Sequence, residues 1–149
     1  MYIWNLSKLK TDLKAGPLAE KEIFLYLCLY TVLYGLAFIP FPGTITYNVW
    51  DALSGLLTTL VTLFGLYYVY RQNGGADGGQ FAAKYLSVGF VFGVRWCVMI
   101  ALPAILLFYI GRGILSTLPD TTTYIDVLFL TALGTHYFWK LGGEIKELR

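Results

Sequence analysis

Four apolar runs, each long enough to cross a lipid bilayer as a helix, constrain this chain more than any other feature. A spanning helix needs about 20 mostly apolar residues, because it rises about 1.5 Å per residue across a hydrocarbon core about 30 Å thick. The runs lie near 23–39, 52–70, 85–110 and 124–141. Composition agrees with them. Apolar residues make up 57% of the chain and charged residues 13%, too few to coat a soluble domain, in which about a quarter are charged. The mean hydropathy is positive, and the 12 tyrosines and 4 tryptophans are residues that gather at membrane interfaces.

Local signals set the ends of the runs. Pro40-Phe41-Pro42-Gly43 cannot continue the first helix. Asp51 is placed to cap the second, and Thr121, Thr122 or Thr123 the fourth. The length of the third implies tilt or a kink, and Pro103, which lacks a backbone donor, is the place for one. Residues 2–15 read as a short amphipathic helix, with Tyr2, Leu6, Leu9 and Leu13 on one face and Gly16-Pro17 ending it. Trp4 falls off that face. Such a helix either lies in the membrane interface or packs against the bundle or a partner.

The basic residues give a direction, since short loops rich in Lys and Arg stay in the cytoplasm. Nine of the eleven lie on one side: Lys8, Lys10, Lys14 and Lys21 in the arm, Arg71 and Lys84 in the second loop, and Lys140, Lys146 and Arg149 in the tail. Only Arg112 falls on the other, and Arg95 lies within a run. The expectation is an all-α polytopic membrane protein: one domain over 1–149, four transmembrane helices in one bundle, a short amphipathic interfacial helix in front, and both termini cytoplasmic. The localisation expected is the plasma membrane, the inner membrane of a bacterium. The lysines of the first twenty residues speak against a cleaved secretory leader, so the first run is expected to be retained. A net charge of +2 gives no reason to expect nucleic acid.

Arg95 is the costly residue. A central arginine costs about 2.5–3.5 kcal/mol on insertion scales, so a bundle interior, a water cavity or the headgroups must receive it. The candidates for compensation are Ser54, Thr58 and Thr62, a hydroxyl stripe at four-residue spacing, with Asp51 and Asp126 near the outer end. The alternative is snorkelling towards the cytoplasmic headgroups. His136, the single histidine, is read as a packed or interfacial side chain, with proton relay as the other option. Asp126 is read as a hydrated carboxylate at a helix start.

Gly89 with Gly93, and Thr31 with Gly35, have the spacing at which helices approach closely, as packing faces or as a subunit contact. The loop of Asn73, Gly74, Gly75 and Asp77 lacks the Lys-Ser/Thr ending of a phosphate-binding loop and follows no strand, so it reads as a flexible turn, with a cytoplasmic contact to a lipid headgroup or a partner as the other option. Cys28 and Cys97 lie in apolar runs and are expected to pack there. No cofactor and no metal site are expected.

Catalysis finds little support. Ala52-Leu53-Ser54-Gly55 lacks the first glycine of the rhomboid protease motif, and Ser54 and His136 fall at opposite depths. The functional expectation is a non-enzymatic membrane subunit, self-associating or partner-binding, with the lipid bilayer and a second copy or another membrane protein as partners. The alternative is a small oligomeric channel, transporter or membrane-permeabilising effector with a polar path around Arg95.

Overall fold

The structure, a computed structural model, describes residues 2–37, 47–114 and 121–149. Every regular element among them is helical. In chain order these are α1 (Leu6–Ala15), α2 (Glu20–Ala37), α3 (Val49–Gln72), a 3-10 turn (Gly75–Asp77), α4 (Phe81–Trp96), a π turn (Cys97–Ala101), α5 (Leu102–Ile114) and α6 (Tyr124–Lys146). Among the described residues two helices are long and apolar enough to cross a membrane: α3, and the continuous helix Phe81–Ile114 that α4, the π turn and α5 make together. α2 carries Glu20, Lys21 and Glu22 in its first turn, and α6 carries Asp126, Lys140, Glu144 and Lys146, which lowers the apolarity of both. The Pro-rich stop after the first run lies outside the described residues.

Helix ends follow from side-chain chemistry. Asn48, not Asp51, is the N-cap of α3: its side chain accepts from Trp50 and Asp51 N–H, while the Asp51 carboxylate accepts from Asn48 N–H at 2.9 Å. Asp51 thus sits in the first turn and closes a reciprocal capping box. Thr123 caps α6 in the same way, with Asp126 accepting from its backbone N–H and its hydroxyl. Pro103 acts one turn before itself. Its missing N–H and its ring disrupt the normal bond to the carbonyl four residues back, and the preceding turn widens so that Leu102 N–H reaches Cys97 C=O.

The principal packing runs in the order α2, α4, α6, α3. α3 and α6 run parallel, with Val61 against Gly134, Phe138 over Gly65 and Tyr68 over Gly142. The two glycines let the rings seat, since a Cβ at Gly65 would stand 2.2 Å from the Phe138 ring and one at Gly142 2.3 Å from Tyr68. α4 and α5 run antiparallel to α6, with Phe92 and Trp96 on Tyr137 towards the end that holds α1 and Phe108 stacked on Phe129 towards the other.

The expected interfacial helix is corrected here. α1 buries Leu6, Leu9 and Leu13 against Val88, Val91, Leu141 and Ile145, so its apolar face is consumed by protein and is not offered to lipid. The helix also begins at Leu6, later than the sequence pattern places it. Before it, Tyr2 is pinned to α2: its N–H donates to the Tyr26 hydroxyl, which donates back to Tyr2 C=O, both at 2.9 Å.

Among the described residues the hydrophobic core cluster lies at the end of the molecule that holds α1. None of α4's large apolar side chains is exposed, whereas Val98, Met99, Ile100, Leu102, Leu106 and Leu107 beyond it all are. Gly65→Ala is expected to lower stability by about 1–3 kcal/mol through overpacking. Gly55→Ala, where a Cβ meets open space, should be neutral or gain up to about 1 kcal/mol from helix propensity. Thermal unfolding in detergent separates the two, and equal effects would contradict the α3–α6 seating.

Candidate functional site: the Arg95 belt

Arg95 stands on α4 fourteen residues after Phe81, about 21 Å along the helix. Its guanidinium lies 6.0 Å from the centre of the Trp4 ring, a cation–π distance. A small cavity of about 160 Å³ beside it is lined by Leu6, Phe92, Met99, Ile100 and Glu144. Trp4, which the amphipathic pattern leaves unplaced, therefore has a position: it covers the arginine. Among the described residues Arg95 makes no hydrogen bond or ion pair, and the nearby Glu144 is paired with Lys10 of α1.

The expected compensation by the hydroxyl stripe is not what the structure arranges. Ser54 is half-buried on the α6 side of α3, Thr58 and Thr62 are exposed, and the Thr62 hydroxyl donates to Thr58 C=O at 2.8 Å. α1 and α6, not α3, carry the groups around Arg95. Asp51 closes the α3 cap, and Asp126 is taken by Arg112. That last pair corrects the reading of Asp126 as a hydrated carboxylate: Asp126 is 4% exposed, Arg112 is 8% exposed, and the guanidinium also lies over the Phe108 ring. Two opposite charges at the facing ends of successive helices were the sequence signal for it.

His136 joins the belt next to Arg95. Its Nδ1 accepts from Trp96 Nε1–H at 3.1 Å, and Trp139 stands 6.0 Å away on its other side, with the Lys140 ammonium 4.7 Å above that ring. Trp4 and Arg95 thus make one cation–π contact, and Trp96, His136, Trp139 and Lys140 make a separate chain of ring contacts between α4 and α6. Val61 sits at Gly134, two residues from His136, and Ser54 lies seven residues or about 10 Å further along α3, so a Ser–His dyad does not form.

The glycine motifs resolve differently from one another. Gly89 and Gly93 are covered from within by Tyr30 and Tyr137, whose hydroxyl donates to Gly89 C=O at 3.3 Å. Thr31 is exposed on α2 with its hydroxyl turned back to Leu27 C=O, and Gly35 falls in the last turn of α2, beyond the residues whose surroundings are described. In the loop after α3, Asn73 is wholly buried and is not a contact residue: it accepts from Lys84 Nζ at 3.1 Å and donates to Gly79 C=O. Lys84, which sequence reading treats only as a topological charge, also reaches Leu148 C=O and ties loop, α4 and tail together. Gly74 and Gly75 take positive φ, a conformation that suits glycine, and Asp77 at the loop tip is exposed. Cys28 and Cys97 are free thiols, Cys97 on the exposed side, and no group of three His, Cys, Asp or Glu among the described residues could hold a metal.

Lys10 binds the arm to the tail through Glu144 and Glu147. Burial pulls the Lys10 ammonium down, but the bonds and charges of the two glutamates outweigh it and hold it above its ordinary 10.5. The Lys10 hydrogen bond and charge hold Glu147 below its ordinary 4.5. A lowered carboxylate stabilises above its unfolded value and loses this as pH falls through the folded one; a raised ammonium stabilises below its unfolded value and loses it as pH rises. Arm docking, followed by Trp4 fluorescence in a variant with the other tryptophans changed to phenylalanine, is expected to be flat from about pH 5 to 10 and to weaken at both extremes. A midpoint near pH 7 would contradict the tie. Where α5 meets α6, Asp126→Ala should destabilise by about 3 kcal/mol, measured by thermal unfolding, because it removes the carboxylate that a buried guanidinium faces. The chain matches no protein-family model, no curated protein and no solved structure.

Proposed function

We propose that this chain is a four-span membrane subunit, both ends on the cytoplasmic side, that acts without catalysis by holding a second copy of itself or another membrane protein. The observation that carries the reading is an asymmetry at the inner end. At that level the outward face of α1 is polar, with Asn5, Ser7, Lys8, Thr11 and Lys14 exposed. The outward face of α2 at the same level, fixed by Tyr26 against Phe90 and Tyr2, is apolar: Phe24 is 61% exposed, with Leu25 and Leu27 beside it. An apolar face where the other side of the molecule meets water is what a subunit contact covers.

The four spans are supported by helix directions. α3 and α6 run one way and α4–α5 the other, with the large exposed apolar residues concentrated between the Arg95 belt and the Arg112–Asp126 pair. From Arg95 to Ile114 the helix continues for nineteen residues, about 28 Å, close to the hydrocarbon thickness of about 30 Å. A polar path through one chain has less support, because Arg95 faces α1 and α6 while Thr58 and Thr62 face outward from α3.

Native mass spectrometry in mild detergent tests the subunit reading. The wild-type chain is expected as a dimer or larger assembly, or bound to a membrane-protein partner, and Phe24→Gln with Leu27→Gln should release monomers. A strict monomer with no partner, or assembly indifferent to both substitutions, would contradict it.

A further inference from the structure

A cleft follows the long helix of α4 and α5, with α2 on one side and α6 on the other. Tyr30 and Leu33 line it from α2, Gly93, Ala101 and Ile105 from the long helix, and Leu133 from α6. Its volume is about 630 Å³, within the range of small-molecule sites, and its walls are almost wholly apolar. It extends along the helix from Gly89 to Ile105, sixteen residues or about 24 Å. Over that length a volume of about 630 Å³ leaves a mean cross-section of about 26 Å². A helix 10–12 Å across would need about 80–110 Å², so neither a second copy nor another protein can seat a helix in it. The shape admits one extended hydrocarbon chain.

Hydroxyls enter the cleft at its Gly89 end. The Tyr30 hydroxyl is turned onto α4 there, 2.7 Å from where a Cβ of Gly89 would stand; it is buried and completes no hydrogen bond among the described residues. Its neighbour Tyr137 donates to Gly89 C=O at 3.3 Å, and the Trp96 N–H is spent on His136. Tyr30 is therefore the donor that the cleft offers a ligand, and a buried hydroxyl is costly until an acceptor meets it. In the four-span reading Gly89 lies six residues inward of Arg95, at the polar end of the apolar stretch, while Ala101 and Ile105 lie within that stretch. A ligand in the cleft thus has its acceptor beside the membrane interface and its apolar body in the hydrocarbon. That is the polarity order of an esterified acyl chain.

We propose that this cleft holds one acyl chain of a membrane phospholipid from the leaflet facing the two chain ends, its ester carbonyl accepting from the Tyr30 hydroxyl and its tail running past Gly93 and Ala101 towards Ile105. The proposal rests on the four-span reading above. It accounts for a long, narrow apolar cleft with a buried hydroxyl at one end.

The test uses the full chain in vesicles holding equal amounts of diacyl phosphatidylcholine and its diether analogue, which lacks the carbonyls. Flotation on a density gradient comes first: protein that does not float removes the membrane reading itself, separately from the cleft. Lipid retained after extraction in mild detergent is then read by native mass spectrometry. The wild-type chain is expected to keep one phospholipid, with the diacyl form favoured over the diether about fivefold, the weight of one hydrogen bond. Tyr30→Phe keeps the ring packed edge-on against Phe90 and should bring that preference to about onefold. Ala101→Trp, which fills the cleft, should abolish retention, whereas Leu106→Trp on the exposed face of α5 should leave it unchanged. If Ala101→Trp fails to fold, Tyr30→Phe and the two lipids carry the test. No lipid retained by the wild type, equal retention of the two forms, a preference untouched by Tyr30→Phe, or retention persisting in a folded Ala101→Trp would overturn the site. Oleic acid added to the extract distinguishes the source: the phospholipid is expected to stay, and its displacement by an equimolar amount would overturn an esterified lipid as the occupant.

Discussion

Removal of apolar surface from water governs this molecule, and the chain accomplishes only half of it internally. Leu6, Leu9, Leu13, Val88, Val91, Leu141 and Ile145 are buried together at the inner end, where five helices converge. Outward of that core the helices bury little, and Leu106, Leu107, Leu128, Phe64 and Leu63 stand open. At about 25 cal/mol per Å² of apolar surface, water is a poor solvent for such a face. A hydrocarbon solvent removes that cost and imposes another, since every backbone group must then be bonded within its own helix. The long helix Phe81–Ile114 meets the demand even at Pro103, where the turn widens and the chain stays helical.

From this division the polar groups take their places. Charges gather at the two ends of the apolar stretch, Arg112 with Asp126 at one and Arg95, Lys140 and the Lys10–Glu144–Glu147 cluster at the other. The outer pair is satisfied by the protein. At the other end Arg95 meets the Trp4 ring and Lys140 the Trp139 ring. Docking of α1 on α4 brings Trp4 to Arg95 and leaves Lys8 and Lys14 exposed on the opposite face of α1.

Much of the helical architecture was legible in the sequence. Apolar run lengths located the helices, Thr123 was among the expected caps, and Pro103 announced an irregularity in the third run. Boundaries were less legible. α6 continues to Lys146 because Leu141 and Ile145 pack against α1, a tertiary reason that a hydropathy run ending at Leu141 does not contain. Phe81–Trp96 begins before its apolar run because Phe81 packs edge-on against Tyr70 of α3. The arm's amphipathicity was visible, but amphipathicity alone does not say whether protein or lipid receives the apolar face. The site was less legible still. Arg95 stood out by cost alone, whereas its neighbours Trp4 and Glu144 come from segments 91 and 49 residues away in the chain, and no periodicity links them. Ser54, Thr58 and Thr62 shared a spacing that invited a link to Arg95, but spacing fixes a face of one helix and not the partner that the face meets.

Solvent accessibility along the chain tests the central claim most directly. Single spin labels placed in lipid vesicles at Val98, Leu107, Lys8, Lys14, Tyr47 and Thr121 can be compared for relaxation by oxygen, which concentrates in hydrocarbon, and by a water-soluble nickel chelate. Labels at 98 and 107 should respond to oxygen and not to nickel. Labels at 8 and 14 should respond to nickel from the side that holds both chain ends, and those at 47 and 121 from the opposite side only. Nickel access at 98 and 107, or access at 8 and 47 from the same side, would contradict the account.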